Sequence, residues 1–188
     1  MKNILIVGVG GQGSLLASRV LGTVFLLQGL DVKISEVHGM SQRGGSVVTY
    51  VRAGEKVYSP IVDMGRADMI IAFELLEAMR WLPYLKKGGK VIVNSQRIDP
   101  MPVITGVKEY PKGIPEKLSE RGAEVQTVNA LELAQKIGQP KAVNVVLLGK
   151  MAADSGFSRD IWTEALKKCV PEKFIEANLR AFELGYTA

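Results

Sequence analysis

Six residues near the N-terminus, Gly8-Val9-Gly10-Gly11-Gln12-Gly13, fit the spacing G-x-G-x-x-G. The chemistry such a turn offers is anion binding. Glycine accepts positive φ and has no side chain, so backbone N–H groups at the start of a following helix can approach a phosphate closely, where the helix dipole favours negative charge. A tight strand-to-helix turn with nothing bound would use the same glycines. The context favours a ligand: the apolar run Ile4-Leu5-Ile6-Val7 reads as a buried parallel strand, and Leu15, Leu16, Val20, Val24 and Leu27 follow at helical spacing up to Gly29.

A dinucleotide would also require an acid near the end of the second strand to hold the ribose hydroxyls. Glu36, 23 residues after Gly13, is the candidate. It runs straight into Val37-His38-Gly39 and a glycine-containing loop, where a dinucleotide fold would have a plain strand-to-helix turn, and this weighs against classical NAD binding.

Groups for covalent or acid–base chemistry are few. His38 is the only histidine, and no carboxylate pair stands at ligand spacing to it, so it reads as a residue holding its loop. Ser14 follows a glycine turn, but Gly11-Gln12-Gly13-Ser14 is not the G-x-S-x-G elbow and Ser14 reads as a helix start. Cys169 falls in a late amphipathic helix and reads as packed. Trp81 and Trp162 fit helical apolar patterns, as core or interface. No catalytic residue and no metal site is expected.

The elements that must position the turn alternate between strand and helix. Asp31 to Val37 reads as the second strand. The polar segment His38-Gly39-Met40-Ser41-Gln42-Arg43-Gly44-Gly45 is too irregular for a helix and too long for a tight turn. Ser46 to Arg52 alternates in β fashion, and Ala53-Gly54-Glu55-Lys56 is expected to turn it back into Val57-Tyr58-Ser59 as a hairpin inserted in the winding. Further strands are expected at 69–73, 91–93 and 124–128, and helices at 74–82, 115–121, 130–137, 144–154, 158–168 and 171–184. Residues 98–115 are the least regular part. The expected architecture is an α/β, Rossmann-like three-layer sandwich with a mostly parallel sheet and an inserted β-hairpin, forming one domain over residues 1–188.

Composition agrees. Of 188 residues 47% are hydrophobic and 23% charged, the balance of a soluble globular protein with a sizeable core. The net charge of +5 suits an acidic ligand, while the absence of a basic run interleaved with aromatics argues against nucleic acid. A single cysteine excludes an internal disulfide and an unaided thiolate cage for zinc or iron–sulfur, so a reducing cytoplasm is expected. No apolar stretch approaches the roughly 20 residues of a membrane span. The start, Met1-Lys2-Asn3 and then 4–9, superficially resembles a secretory signal, but it breaks into glycines with no cleavage site and reads as a strand.

Two stretches together, Gly8-Val9-Gly10-Gly11-Gln12-Gly13 and Glu36-Val37-His38-Gly39-Met40-Ser41-Gln42-Arg43-Gly44-Gly45-Ser46-Val47, closely resemble the gamma-type domain of the 2-oxoacid:ferredoxin oxidoreductases. Asn144-Val145-Val146-Leu147-Leu148-Gly149 looks like the family's late helix start. The resemblance implies a non-thiamine subunit taking part in oxidative decarboxylation of indolepyruvate or another aryl pyruvate with coenzyme A, giving acyl-CoA, carbon dioxide and reduced ferredoxin. Pyruvate and 2-oxoglutarate enzymes share both motifs and stay as alternatives. It further implies that thiamine diphosphate and iron–sulfur clusters reside on a catalytic partner subunit, that ferredoxin is met through the complex, and that this chain is inactive alone. Coenzyme A is the substrate whose phosphates Gly8, Gly10, Gly11, Gln12, Gly13 and Arg43 would contact; Ser41, Gln42 and Arg43 could equally pack on the catalytic subunit. A free NAD-binding Rossmann protein, or a glycine-turn binding module without a catalytic partner, are the other readings.

Overall fold

A computed structural model describes residues 1–38 and 44–188. The continuous apolar run forms the middle of β1 (Lys2–Val9), where Leu5, Ile6 and Val7 are wholly buried, as a strand covered on both faces requires. The glycine turn leads into α1 (Ser14–Leu27), whose Ala17, Val20, Leu21, Val24 and Phe25 form its buried stripe. β2 (Asp31–His38) and β3 (Ser46–Gly54) follow, then β4 (Ala67–Ala72), α2 (Leu75–Trp81), β5 (Leu85–Asn94), α3 (Met101–Ile104), α4 (Ile114–Glu120) and β6 (Glu124–Val128). Four helices end the chain: α5 (Ala130–Lys136), α6 (Val143–Ala153), α7 (Arg159–Cys169) and α8 (Ile175–Tyr186). Among the described residues no helix is long and apolar enough to cross a membrane.

The six strands lie in the order β2-β3-β1-β4-β5-β6. β1, β4, β5 and β6 are parallel neighbours, and β3 runs antiparallel to β1 and β2 on either side of it. Ile4 thus sits opposite Val51 of β3 and Met69 of β4. The expected sandwich with a mostly parallel sheet is present, but the reversal falls elsewhere. Val57-Tyr58-Ser59 is not a strand. The hairpin is β2 with β3, joined through residues 39–45, and β3 is wedged between β2 and β1. Its run of five consecutive buried residues, Val47 to Val51, shows why: a strand paired on both edges and covered on both faces is satisfied without a return strand. Lys87-Gly88-Gly89, expected to precede a strand, lie inside β5.

Alternation along β1 divides the core. Ile4 and Ile6 turn toward a layer built by α1, α6, α7 and α8, while Leu5 and Val7 turn toward a smaller layer of α2 and α4. α6 is apolar nearly all round because it lies inside its layer, between the sheet and α8.

Candidate functional site

From β1 the chain leaves through α1 toward β2 on one face; from β4 it leaves through α2 toward β5 on the other. The carboxyl ends of β1 and β4 therefore open a crevice at a topological switch point, where open α/β sheets bind ligands. The glycine turn lies there. Gly11 and Gly13 have φ of 101° and 88°, in the region that favours glycine, and Gly13 is the N-cap of α1 with no side-chain cap. A Cβ on Gly13 would fall 2.6 Å from Asn144 Nδ2, whereas that of Gly11 would meet open space. Packing and backbone both require Gly13; Gly11 leaves room above the turn.

Gly10 joins the turn to the far end of the β2–β3 connection: its N–H donates to the Gly45 carbonyl at 2.8 Å and its carbonyl accepts from the Gly44 N–H at 3.4 Å. The next residue, Ser46, donates from Oγ to the buried carboxylate of Glu77, which also accepts from Arg80 Nε at 3.0 Å. Gln12 turns inward. Its Oε1 accepts from the Val9 N–H at 2.7 Å, and its Nε2 donates to the Phe73 carbonyl at 3.1 Å and reaches Gln96 Oε1 at 3.5 Å. Gly8, inside β1, makes the space for this, since its Cβ would stand 2.8 Å from Gln12 Oε1. Asn94, fully buried, completes the bracket by donating to the Phe73 carbonyl and to Gln96 Oε1 and accepting from the Ala130 N–H. The ends of β1, β4 and β5 are therefore cross-linked by side-chain amides.

Beside the bracket lies a cleft of about 380 Å³. Gly11, Gln12 and Gly13 form one wall, Ile98, Leu131 and Val143 supply apolar surface, and Lys141 is the one cation lining it among the described residues. Among the described residues no carboxylate lines it. Free N–H groups of the first turn of the 14-residue α1 together with Lys141 make this end suited to an anion, next to surface that suits an apolar stem.

One side of the cleft is fixed by a buried carboxylate. Glu74 accepts from the Ile98 N–H at 3.1 Å, the Glu77 N–H at 2.9 Å and the Tyr110 hydroxyl. Burial, and then the neighbouring Glu74 carboxylate, hold the Tyr110 hydroxyl far above its ordinary range, so it stays a donor.

Of the residues singled out in the sequence, Gly8, Gly10, Gly11, Gln12 and Gly13 come together at this switch point. Ser41, Gln42 and Arg43 lie outside the described residues, as does the side chain of His38. Ser14 does start α1, and its Oγ donates to Glu36 Oε2 at 3.1 Å; Thr49 Oγ1 donates to the same oxygen at 3.1 Å. The Glu36 carboxylate is thus used to join α1, β2 and β3, with β3 standing between its strand and β1. Cys169 is half-buried beside Thr23, Trp162 is wholly buried and Trp81 packs with Tyr50 and Tyr84. Sequence reasoning missed Asn94, Gln96, Lys141 and the Glu74–Tyr110 pair. Asn144 carried a signal: it is the one polar side chain in the apolar run Val143 to Leu148, and its Nδ2 donates to the Gly13 carbonyl at 3.1 Å.

Known proteins resemble this chain throughout. It is 45% identical over 193 aligned residues to the indolepyruvate oxidoreductase subunit IorB of Thermococcus kodakarensis, covering 99% of this chain and 95% of that one. To the 2-oxoglutarate synthase subunit KorC of Methanothermobacter marburgensis it is 31% identical, over 98% and 94%. The fold matches the gamma subunit of a keto/oxoacid ferredoxin oxidoreductase of Geobacter sulfurreducens with a TM-score of 0.74 at 24% identity, covering 100% of this chain and 97% of that one. It also matches a 2-oxoglutarate:ferredoxin oxidoreductase of Magnetococcus marinus with 2-oxoglutarate, coenzyme A and succinyl-CoA bound, with a TM-score of 0.76 at 22% identity, over 99% of this chain and 30% of that one. At such identities the two structures speak for the fold alone. The pattern of the pyruvate ferredoxin/flavodoxin oxidoreductases extends over residues 3–188, taking in the glycine turn, the amide bracket and both core layers, and the chain belongs to that family.

Proposed function

We propose that the chain is the small, non-thiamine subunit of a 2-oxoacid:ferredoxin oxidoreductase acting on indolepyruvate or another aryl pyruvate in the cytoplasm. The observation that carries the substrate class is the gap between 45% identity to an indolepyruvate oxidoreductase subunit and 31% to a 2-oxoglutarate synthase subunit of similar coverage. In the reaction, the bond between the carboxylate and the keto carbon breaks, carbon dioxide leaves, and the acyl carbon bonds to the coenzyme A sulfur. The thiol proton is released, and two electrons pass one at a time to ferredoxin. Thiamine diphosphate and iron–sulfur clusters belong to the catalytic subunit, because one cysteine here cannot ligate a cluster and no three metal-ligating side chains converge among the described residues.

This chain's part is to receive coenzyme A. The N–H groups of Gly11 and Gly13 and the Lys141 ammonium take phosphate oxygens, and the wall of Ile98, Leu131 and Val143 takes the apolar part of the pantetheine stem. Arg43, with Ser41 and Gln42, either adds a bidentate grip on phosphate or meets a carboxylate of the catalytic subunit. Support for the cleft comes from its position at the switch point.

The test is reconstitution with the thiamine-dependent subunit encoded in the same genome, measuring coenzyme A-dependent dye reduction. Aryl pyruvates should be turned over by the pair and by neither chain alone. Lys141→Ala is expected to raise KM for coenzyme A about tenfold, roughly 1.4 kcal/mol. Arg43→Ala that weakens assembly assigns Arg43 to the interface, and one that raises the same KM in an intact complex assigns it to coenzyme A. Turnover by the chain alone, or a pair with no coenzyme A-dependent activity, overturns the reading.

A further inference from the structure

At the edge of the sheet opposite β6, the outer side of β2 has no neighbouring strand among the described residues. β2 is eight residues long, contains no proline, and carries Ile34 at 39% exposure on the side that faces α1. Between β2, α1 and α7 lies an open groove of about 470 Å³, floored by Leu26, Val32 and Ile34. Leu26 is 60% exposed, a large apolar side chain left in water on the outer face of a helix. The rim is cationic: Arg19 and Lys168 line the groove and no acidic side chain does, among the described residues. Lys168 reaches Glu164 one turn back at 2.8 Å, but both are more than half exposed, and such a pair exchanges readily for a better-placed carboxylate.

An unpaired, unprotected edge strand is a template for another strand, and proteins that leave one bare ordinarily blunt it with lysine, proline or a bulge. β2 has one lysine, Lys33, and its charge is already answered by Asp31 at 2.6 Å. Backbone N–H and carbonyl groups along the edge would supply affinity, and the groove behind them specificity for alternate side chains. A second copy of the chain fits poorly, because each copy would bring its own Arg19 and Lys168 to the contact and each carries a net charge of +5.

Building on the reading under Proposed function, we propose that β2 and its groove receive an extended segment of the catalytic subunit, which joins the sheet as a further strand, fills the groove with apolar side chains and offers carboxylates to Arg19 and Lys168. Cys169 gives a readout without mutation, since it lines the groove and is the only cysteine in the chain. In the assembled complex its alkylation by N-ethylmaleimide, followed by mass spectrometry of the peptide that carries it, should slow at least about tenfold relative to the free chain. Ile34→Lys and Arg19→Glu should each weaken association measured by sedimentation at least about tenfold, the Arg19→Glu chain should melt like the parent when free, and its loss of association should shrink in high salt. A complex that forms with Cys169 as reactive as in the free chain, or variants that associate like the parent, overturns the proposal. So does a free chain that dimerises and loses its dimer on Ile34→Lys. If the unaltered chain forms no complex at all, the assignment of a catalytic partner fails, and this proposal falls with it.

Discussion

β6, the five-residue strand at one edge of the sheet, is tied by charge to the elements inside it: Lys90 of β5 bonds Asp154, at the end of α6, at 2.9 Å and Glu124 of β6 at 3.1 Å, and Gln126 of β6 donates to the same Asp154 oxygen at 2.8 Å. β2, at the other edge, is longer, and its own polar contacts, Asp31 with Lys33 at 2.6 Å and Glu36 with Ser14 and Thr49 at 3.1 Å each, leave an apolar groove at its back. The helix layer built by α1, α6, α7 and α8 differs along the sheet in the same sense. Over the β5 side, α6 and α8 pack so closely that a Cβ on Gly149 would overlap the Phe182 carbonyl oxygen, while over β2 the exposed Leu26 of α1 still meets water. One half of the molecule is finished by its own residues. On the docking proposal above, the other half is completed by the catalytic subunit, so stability and association should respond to substitution at different ends of the sheet.

The largest effect on stability is expected on the closed half. Gly149→Val places a side chain against the backbone of α8, which cannot yield without separating the two helices. It should cost about 3 kcal/mol and lower the melting temperature, followed by circular dichroism, by roughly 6–12 °C.

Asp154→Asn tests the charged closure and should cost about 1 kcal/mol in a urea titration at neutral pH. The hydrogen bond from Lys90, ahead of that from Gln126, holds Asp154 below its ordinary 3.8, so its contribution is present above that value and disappears as pH falls through the lowered one. The hydrogen bond to Asp154 likewise holds Lys90 above its ordinary 10.5, so its contribution is present below 10.5 and is lost as pH rises through the raised value. The stability difference between variant and parent should therefore be flat across neutral pH and close at both extremes.

The smallest effect on stability belongs to the open half. Arg19→Glu should change unfolding free energy by less than about 0.5 kcal/mol, although association depends on it. A large loss of stability there would show that the β2 edge is internally supported after all and would erase the contrast.

Much of the fold was legible because periodicity speaks directly for burial. Ile4 to Val7 reads as a doubly covered strand, the glycine turn and α1 follow from spacing, and the helices after residue 130 fall within a few residues of their expected positions. The strand order was less legible. Ser46 to Arg52 has a strand's composition whichever neighbours it takes, and nothing local distinguishes a return into Val57 from insertion between β1 and β2. In the candidate site the glycines were visible because their backbone conformation restricts residue type. Gln12, Asn94 and Gln96 were not read as a bracket, because an amide carries no pattern until three strand ends converge on it, and Lys141 is one of many lysines until the fold brings it beside Gly11.

The wedged position of β3 also bears on the order in which the sheet can assemble. Pairing β3 with β1 brings Val9 to Ser46 and Lys2 to Ala53, closing segments of 37 to 51 residues, whereas pairing it with β2 brings His38 to Val47 and Asp31 to Gly54, only 9 to 23 apart. Loop-closure entropy grows with length, so the β2–β3 hairpin is the cheaper contact and should form as a unit before it is laid against β1. A β2 that docked first on β1, as the simple strand–helix–strand unit would have it, occupies the place of β3 and must detach again. In pulse-labelled amide exchange during refolding, the amides shared by β2 and β3 should gain protection ahead of those shared by β3 and β1. The antiparallel strand that interrupts the winding would then be the step that sets how fast this half of the protein reaches its native state.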